Sequence, residues 1–309
     1  MWIASLQNLG LRVRVAEPLG RHTSLQVGGR AAAVVSVDNV EELVRLVDHL
    51  LRWGISYYVL GRGTNVLVSD RGFQGAVIKL GDGFGRVDVE GELLKVGAAV
   101  PLPRLAVVAA RAGLTGLEWS AGIPGSLGGA VMGNAGAYGG TMADLVQSVG
   151  VFYPERGVIT HEASALGFSY RKLVLPFEGG IILGSQLRLK KGANEEIWAR
   201  MENYKLERRR KQPLKLPNAG SVFCNPPGDY AGRLIEAAGL KGLRVGDAAI
   251  SDQHANFIVN LGHATAADIL KLLILIRQRI LAEKGVVLKL EWKLLGFTPA
   301  EERALEIVA

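Results

Sequence analysis

The stretch Gly122-Ile123-Pro124-Gly125-Ser126-Leu127-Gly128-Gly129 opens a segment running to Gly140 in which eight of nineteen residues are glycine. Few of its side chains are large enough to fill a core, so it reads as backbone brought close to something else. A second glycine turn, Gly61-Arg62-Gly63-Thr64-Asn65, lies between the apolar runs 55–60 and 66–69. Backbone N–H groups freed of side chains can converge on an anion, and Thr64, Asn65 and Ser126 add hydroxyl or amide donors. A diphosphate has charge and oxygens enough for both loops. Neither is a familiar fingerprint: Gly61-x-Gly63 continues as Thr64, Asn65, Val66, so G-x-G-x-x-G fails at its third glycine. No G-x-x-x-x-G-K-[ST] occurs either, which argues against a P-loop hydrolase. The residues alone reach a phosphorylated cofactor, with sharp turns in a β-rich domain as the alternative.

Outward from the loops, the composition narrows the class. The chain has 309 residues, 49% of them hydrophobic, which is enough for a real core. Its 40 glycines have no three-residue period, which excludes collagen. Lys plus Arg exceeds Asp plus Glu by 36 − 29 = 7, favouring anionic partners. The single cysteine, Cys224, allows no intramolecular disulfide and no multi-cysteine zinc site, and it fits a reducing, cytoplasmic compartment. No paired metal ligands are evident, and His254 and His263 read as structural or exposed. The N-terminus does not read as a signal peptide. The most apolar helix candidate, 269–281, is broken by Lys271, Arg277 and Arg279, so no membrane insertion is expected.

Periodicity supplies the frame. A strand at 34–37 leads to a helix capped by Asp38 or Asn39 and running to about Trp53, with Val40, Leu43, Val44, Val47, Leu50 and Leu51 at helical spacing and Gly54 as its stop. Strands are expected at 55–60, 66–69, 74–80, 92–96, 146–153 and 181–189. A helix at 101–112 has Pro at its start and Gly113 beyond its end. A charged helix, 194–211, ends in Arg208-Arg209-Arg210-Lys211, and 212–218, with Pro213 and Pro217, reads as a linker. Beyond it Asp229 is expected to cap a helix to Ala238, and 256–260 forms a strand. Thr265 caps a helix to Lys284, and 286–295 is the last strand. The alternation predicts an α+β fold with mixed sheets.

Five ordered motifs carry a resemblance. Gly61 to Asn65 with Val66-Leu67, the run 122–138, Tyr170-Arg171, Asn218-Ala219-Gly220-Ser221-Val222-Phe223, and Leu290-Glu291 resemble the UDP-N-acetylenolpyruvoylglucosamine reductase family, also called UDP-N-acetylmuramate dehydrogenase, over about residues 20–296. The resemblance implies a two-subdomain FAD-binding module of the vanillyl-alcohol-oxidase type over 1–211 (subdomains about 1–80 and 81–211). A C-terminal α/β substrate domain over 212–296 and a tail over 297–309 follow. It implies noncovalent FAD, NADPH as hydride donor, and reduction of UDP-N-acetylglucosamine enolpyruvate to UDP-N-acetylmuramate in peptidoglycan precursor synthesis. Gly61, Arg62, Gly63, Thr64, Asn65, Gly122, Gly125, Ser126, Gly128 and Gly129 resemble the flavin diphosphate segments, and Asn134, Gly136 and Tyr138 a flavin wall.

Hydride addition to the β-carbon of an enol ether leaves negative charge on the α-carbon and its carboxylate. A proton donor and a cation are therefore needed. The resemblance makes Ser221 the donor, Arg171 the enolate-stabilising cation and Glu291 the carboxylate that assists protonation. The pattern along 286–295 instead places Glu291 on a solvated face with Lys289 and Lys293. Tyr170, Lys215 and Asn225 are candidate substrate contacts. The run 208–211 is open to two readings, a substrate-diphosphate patch or the solvated, cation-favouring end of a helix. Two departures stand out. Cys224 occupies a position where the family often has lysine. The fifty residues from Arg171 to Ser221 resemble the shorter subgroup that lacks the tyrosine-bearing closing loop. The rivals are a flavin oxidase on the same module and a basic nucleic-acid binder. The enolate-handling trio argues against the first. Sparse aromatics, 6%, argue against the second, so no nucleic-acid partner is expected.

Overall fold

Apolar faces at the expected spacing are what build each layer of the computed structural model, which describes residues 2–306. Two compact units result. One comprises the chain up to Val15, Ala33–Gly61 and Gly75–Arg208; the other comprises Ala16–Ala32, Arg62–Gln74 and the chain from Arg209. The units are interleaved along the chain, whereas the sequence reading has contiguous segments 1–211 and 212–296. Long-range pairing is the reason. Val66–Val68 runs parallel to Lys293–Leu295, and the Asp70 carboxylate accepts from Ala266 and Ala267 N at 2.8 and 2.9 Å. No local pattern announces such pairs.

One sheet, its strands mostly in the first unit, runs in the order Arg12–Pro18, Arg30–Val37, Phe73–Leu80, Tyr57–Val59. The helix Val40–Arg52 buries Leu43, Leu46, Val47 and Leu50 among the first unit's apolar side chains, while Leu51 is 51% exposed. Leu46 thus takes the place expected of Leu51. Asn39 is the cap, its Oδ1 accepting from Glu42 N at 2.8 Å, an interaction worth about 1 kcal/mol. A second, antiparallel sheet runs in the order Gly157–Glu162, Val146–Tyr153, Ile181–Arg188, Leu93–Gly97, Val87–Glu90. Its inner face packs with the helix Leu102–Arg111 around Leu94, Val96, Leu105, Val149 and Leu187.

In the second unit, Arg244–Val245, Ala248–Ile250 and Ile258–Asn260 form an antiparallel sheet beside the helix Ala266–Lys284. Thr265 and Asp268 cap that helix reciprocally, and Gly285, at φ +64°, ends it as expected. Three expectations are corrected. Asp229 does not cap the helix Ala231–Ala237; Asn225 Oδ1 accepts from Ala231 N at 3.1 Å while Asp229 pairs with Arg233. Only Lys293–Leu295 of the expected last strand is laddered, because residues before it meet a partner through a single bridge, Phe223 with Leu290. The tail expected from 297 is part of the unit. Thr298 caps Pro299–Glu306, Arg71 pairs with Glu301, and Leu305 lies in the core. Residues 307–309 of that segment lie outside the described residues.

Candidate functional site

In the first unit the two glycine loops meet. A Cβ placed on Gly61 would come 2.6 Å from Ser126 Oγ, so a larger residue there would make that hydroxyl turn away. Ser126 is buried at the entry to the short helix Leu127–Met132, and Lys79 Nζ donates to Gly61 O. Of the glycines within residues 122–140 only Gly139, at φ +83°, needs glycine's conformational range, while Gly122, Gly128, Gly136 and Gly140 lie where a Cβ would crowd a neighbour. A Cβ on Gly140 would strike the Trp119 ring at 2.5 Å, and one on Gly122 the Arg208 side chain at 2.6 Å. Gly128 lies against Ala98, and Gly129 is exposed. Tyr138 stacks on Tyr204 with ring centroids 4.1 Å apart.

Arg171 sits at the tip of a two-residue hairpin, with Ser169 opposite Lys172, and takes φ +57°. That conformation is unusual for a residue with a side chain and persists where surroundings fix it. Asn134 does the fixing: its Nδ2 donates to Ser169 O at 2.9 Å and its Oδ1 accepts from Ala143 N at 3.0 Å. The Arg171 guanidinium lies 5.2 Å over the Tyr170 ring, which is 57% exposed. Asn134 therefore ties the glycine segment to the Arg171 turn.

In the second unit a different construction gathers Ser221, Glu291, Thr64 and Asn65. Gly220, at φ +74°, turns the chain into Ser221, and Asn218 Oδ1 accepts from Gly220 N at 3.1 Å. Glu291 N donates to Val222 O at 2.8 Å, and Asn65 Nδ2 to Glu291 O at 3.3 Å. Gly63 presses against His22 O, where a Cβ would lie at 2.0 Å. Ser24 joins the two motifs: its N donates to Gly63 O at 3.0 Å and its hydroxyl to Asn218 O at 2.6 Å. Asn256, 3% exposed, clamps the next residues, accepting from Phe223 N at 2.9 Å and donating to Phe223 O at 2.8 Å. Its own carbonyl accepts from Val222 N at 2.9 Å. His254 Nδ1 accepts from Asn256 N at 3.2 Å; burial, with Lys241 nearby, holds that imidazole below its ordinary value.

Ser24 and Asn256 escaped the sequence reading; Asn256 could have been suspected as a polar residue opening a buried apolar run. Glu291 is half-buried beside exposed Lys289 and Lys293, and Cys224 N donates to Lys289 O at 2.9 Å. Lys215 is exposed, and Asn225 serves the neighbouring helix. Arg62 is exposed, Gly136 lies against Gly140 O, and His263 N donates to Asp247. Among the described residues no group of three or more His, Cys, Asp or Glu could hold a metal, and no helix is long and apolar enough to cross a membrane.

A relative from Symbiobacterium thermophilum, named UDP-N-acetylenolpyruvoylglucosamine reductase 2, is 44% identical over 93% of this chain and 94% of its own. The chain belongs to the UDP-N-acetylenolpyruvoylglucosamine reductase family. That family's C-terminal domain pattern matches residues 212–295, and an FAD binding domain pattern matches residues 31–161. A family member from Halalkalibacterium halodurans is 42% identical over 92% of this chain and 94% of its own. The crystal structure of the Thermus caldophilus reductase superposes with a TM-score of 0.80 at 44% identity, covering 92% of this chain and 98% of that one. The expected α+β fold with an FAD-binding module is thereby that of the family. The residues fit such a cofactor: the glycine segment holds an enclosed donor, Trp119 Nε1 against Gly140, with no acceptor among the described residues.

Proposed function

We propose that this protein reduces UDP-N-acetylglucosamine enolpyruvate to UDP-N-acetylmuramate with NADPH and bound FAD, in peptidoglycan precursor synthesis. The observation that carries the reading is the strapping of the Asn218–Phe223 motif to Glu291, whose N donates to Val222 O and whose O accepts from Asn65 Nδ2. Such a lattice holds a hydroxyl and a carboxylate in fixed register, as acid catalysis on a transient carbanion requires. FAD, when bound, accepts a hydride from NADPH and delivers it to the β-carbon of the enolpyruvyl group.

This chain's residues do the rest. Ser221 Oγ gives its proton to the α-carbon, completing the new C–H bond, and regains one from solvent. A serine hydroxyl is a weak acid, but the α-carbon it meets is a strong base. Arg171 supports the charge that develops on the α-carbon and its carboxylate, and a guanidinium stays protonated at every working pH. Glu291 assists the proton transfer. Gly61, Ser126, Gly122, Gly125, Gly128 and Gly129 in the first unit, and Arg62, Gly63, Thr64 and Asn65 in the second, are assigned to the cofactor's diphosphate. Asn134, Gly136 and Tyr138 are assigned to its ring wall, with Asn134 also setting the Arg171 turn. Tyr170, Lys215 and Asn225 are assigned to the substrate.

Residues 1–211 are read as the cofactor module and 212–296 as the substrate domain, working in the cytoplasm on soluble nucleotides. The test is a half-reaction. Purified protein should be yellow and release one FAD per chain on denaturation. Ser221→Ala should still be bleached by NADPH, while its reoxidation by the enolpyruvyl nucleotide slows by about 10²–10⁴-fold. A colourless protein, or unimpaired reoxidation in that variant, overturns the assignment.

A further inference from the structure

One face of the helix Asn194–Lys211 meets residues 115–118 at one turn and the glycine-dense segment at the next two. Arg200, Tyr204 and Arg208 recur every four residues and so share a stripe. At the first position, Arg200 pairs with Glu118 at 3.4 Å and donates to Thr115 Oγ1 at 3.2 Å. Glu118 is itself 6% exposed and also accepts from Thr115 Oγ1 and Gly116 N, at 2.6 and 2.7 Å. At the second position, Tyr204 stacks on Tyr138, whose hydroxyl donates back to Tyr204 O at 3.3 Å. At the third, the Arg208 side chain lies where a Cβ on Gly122 would be.

The third position differs from the other two. Arg200 has a buried carboxylate as partner. Arg208 Nε is fully enclosed by protein yet has no hydrogen-bond acceptor among the described residues. Burial pushes its guanidinium below arginine's ordinary value, with the Tyr138 phenol close enough to act on its charge. An enclosed N–H without an acceptor is costly, and such groups are retained where a ligand supplies the missing oxygen. Trp119 Nε1, against Gly140 at the far end of the glycine segment, is another enclosed donor without an acceptor. Two donors of this kind on one glycine segment point to an acceptor-rich ligand.

We propose that Arg208 is a further cofactor-binding residue, donating to an anionic or carbonyl oxygen of bound FAD, and that Arg200 with Glu118 positions the helix that carries it. This rests on the FAD reading above. It also divides the basic run: Arg208 belongs to the cofactor, whereas the Arg209 and Arg210 carbonyls accept from Gln253 Nε2 at 3.2 and 2.9 Å.

The experiment titrates FAD into apo-protein of the wild type, Arg208→Gln and Arg208→Lys. Flavin fluorescence gives the affinity, and midpoint potentials of the reloaded proteins and melting curves of the apo forms are recorded alongside. Arg208→Gln should weaken FAD binding by about 10- to 100-fold, the range for a lost charge-assisted hydrogen bond, with partial recovery in Arg208→Lys. Its apo-protein should melt no lower than wild type, because a desolvated cation has been removed. A purely structural arginine would give the reverse, a lower apo melt with unchanged affinity, and that result overturns the proposal. A lowered midpoint potential would put the guanidinium at the isoalloxazine ring; weaker binding at unchanged potential would put it at the diphosphate. Either supports the assignment. Wild-type protein that binds no FAD would overturn the functional reading itself, and this assignment with it.

Discussion

The two units hold their candidate residues by opposite means. In the first, residues 122–140 work by absence: glycines let backbone approach Ala98, Trp119 and Arg208 more closely than a Cβ would leave room for. In the second, Ser221 and Glu291 are held by presence, in a lattice of side-chain amides and hydroxyls from Ser24, Asn65, Asn218 and Asn256. The contrast follows from the tasks. A large anionic cofactor held for many turnovers needs room and many weak donors, which bare backbone provides. A proton donor must meet one carbon at one angle, and misplacement by an ångström costs about 10²-fold. Arg171 is a hybrid of the two. It lies in the glycine-rich unit but at positive φ on a hairpin fixed by the Asn134 side chain.

After Ser221→Ala, that hybrid position gives the largest expected effect. Arg171→Met should slow reoxidation of the reduced protein by the enolpyruvyl nucleotide by about 10²–10³-fold, leaving NADPH bleaching intact. Stopped-flow absorbance reads both steps, and an unchanged second step would move the charge-stabilising role elsewhere. Next in size is the clamp. Asn256→Ala strands the N–H and C=O of Phe223, which is 1% exposed. At about 1–3 kcal/mol for each unsatisfied group, stability should fall by about 2–6 kcal/mol, read by denaturant titration. A loss confined to activity at full stability would mean that Asn256 acts on the substrate instead. Smaller again is the loss in Asn134→Ala, which should lower kcat through the Arg171 turn and weaken FAD binding at the ring wall. Unchanged FAD affinity would take Asn134 off the cofactor wall and leave it the turn alone.

The smallest effect is a pH dependence. His254 has a depressed value when folded, so the unfolded chain takes up its proton first, near the ordinary 6.5. Stability contributed by the neutral imidazole is therefore complete above that pH and declines as pH falls through it toward the lower folded value. Protonation of Nδ1 would also cancel the acceptor for Asn256 N. Melting temperatures of wild type should decline from pH 7.5 to 5.5 more steeply than those of His254→Gln, which cannot titrate there. Parallel curves would refute it. (The pH limits here are about one unit either side of the 6.5 reference.)

Most of the frame was legible because it is local. The helices Val40–Arg52, Leu102–Arg111, Asn194–Lys211 and Ala266–Lys284 announce themselves by spacing, Asn39 and Thr265 caps, and Gly stops. The glycine loops could be read as an anion cradle from composition alone. Their neighbours could not, because Ser24 lies 194 residues from Asn218 and Asn65 lies 226 residues from Glu291. The interleaving of the units has the same origin. Asp229 failed as a cap because Arg233, one turn on, claims its carboxylate and holds its value down at about 2. Arg208 was legible only as part of a charge run; burial, which no charge pattern records, sets it apart from Arg209 and Arg210.

The most direct measurement mixes anaerobic protein, reduced by one equivalent of NADPH, with UDP-N-acetylglucosamine enolpyruvate, and follows flavin absorbance. Full recovery of the oxidised spectrum, with stoichiometric UDP-N-acetylmuramate, is the expected result. A reduced flavin that ignores the enolpyruvyl nucleotide yet is reoxidised by oxygen alone would contradict it.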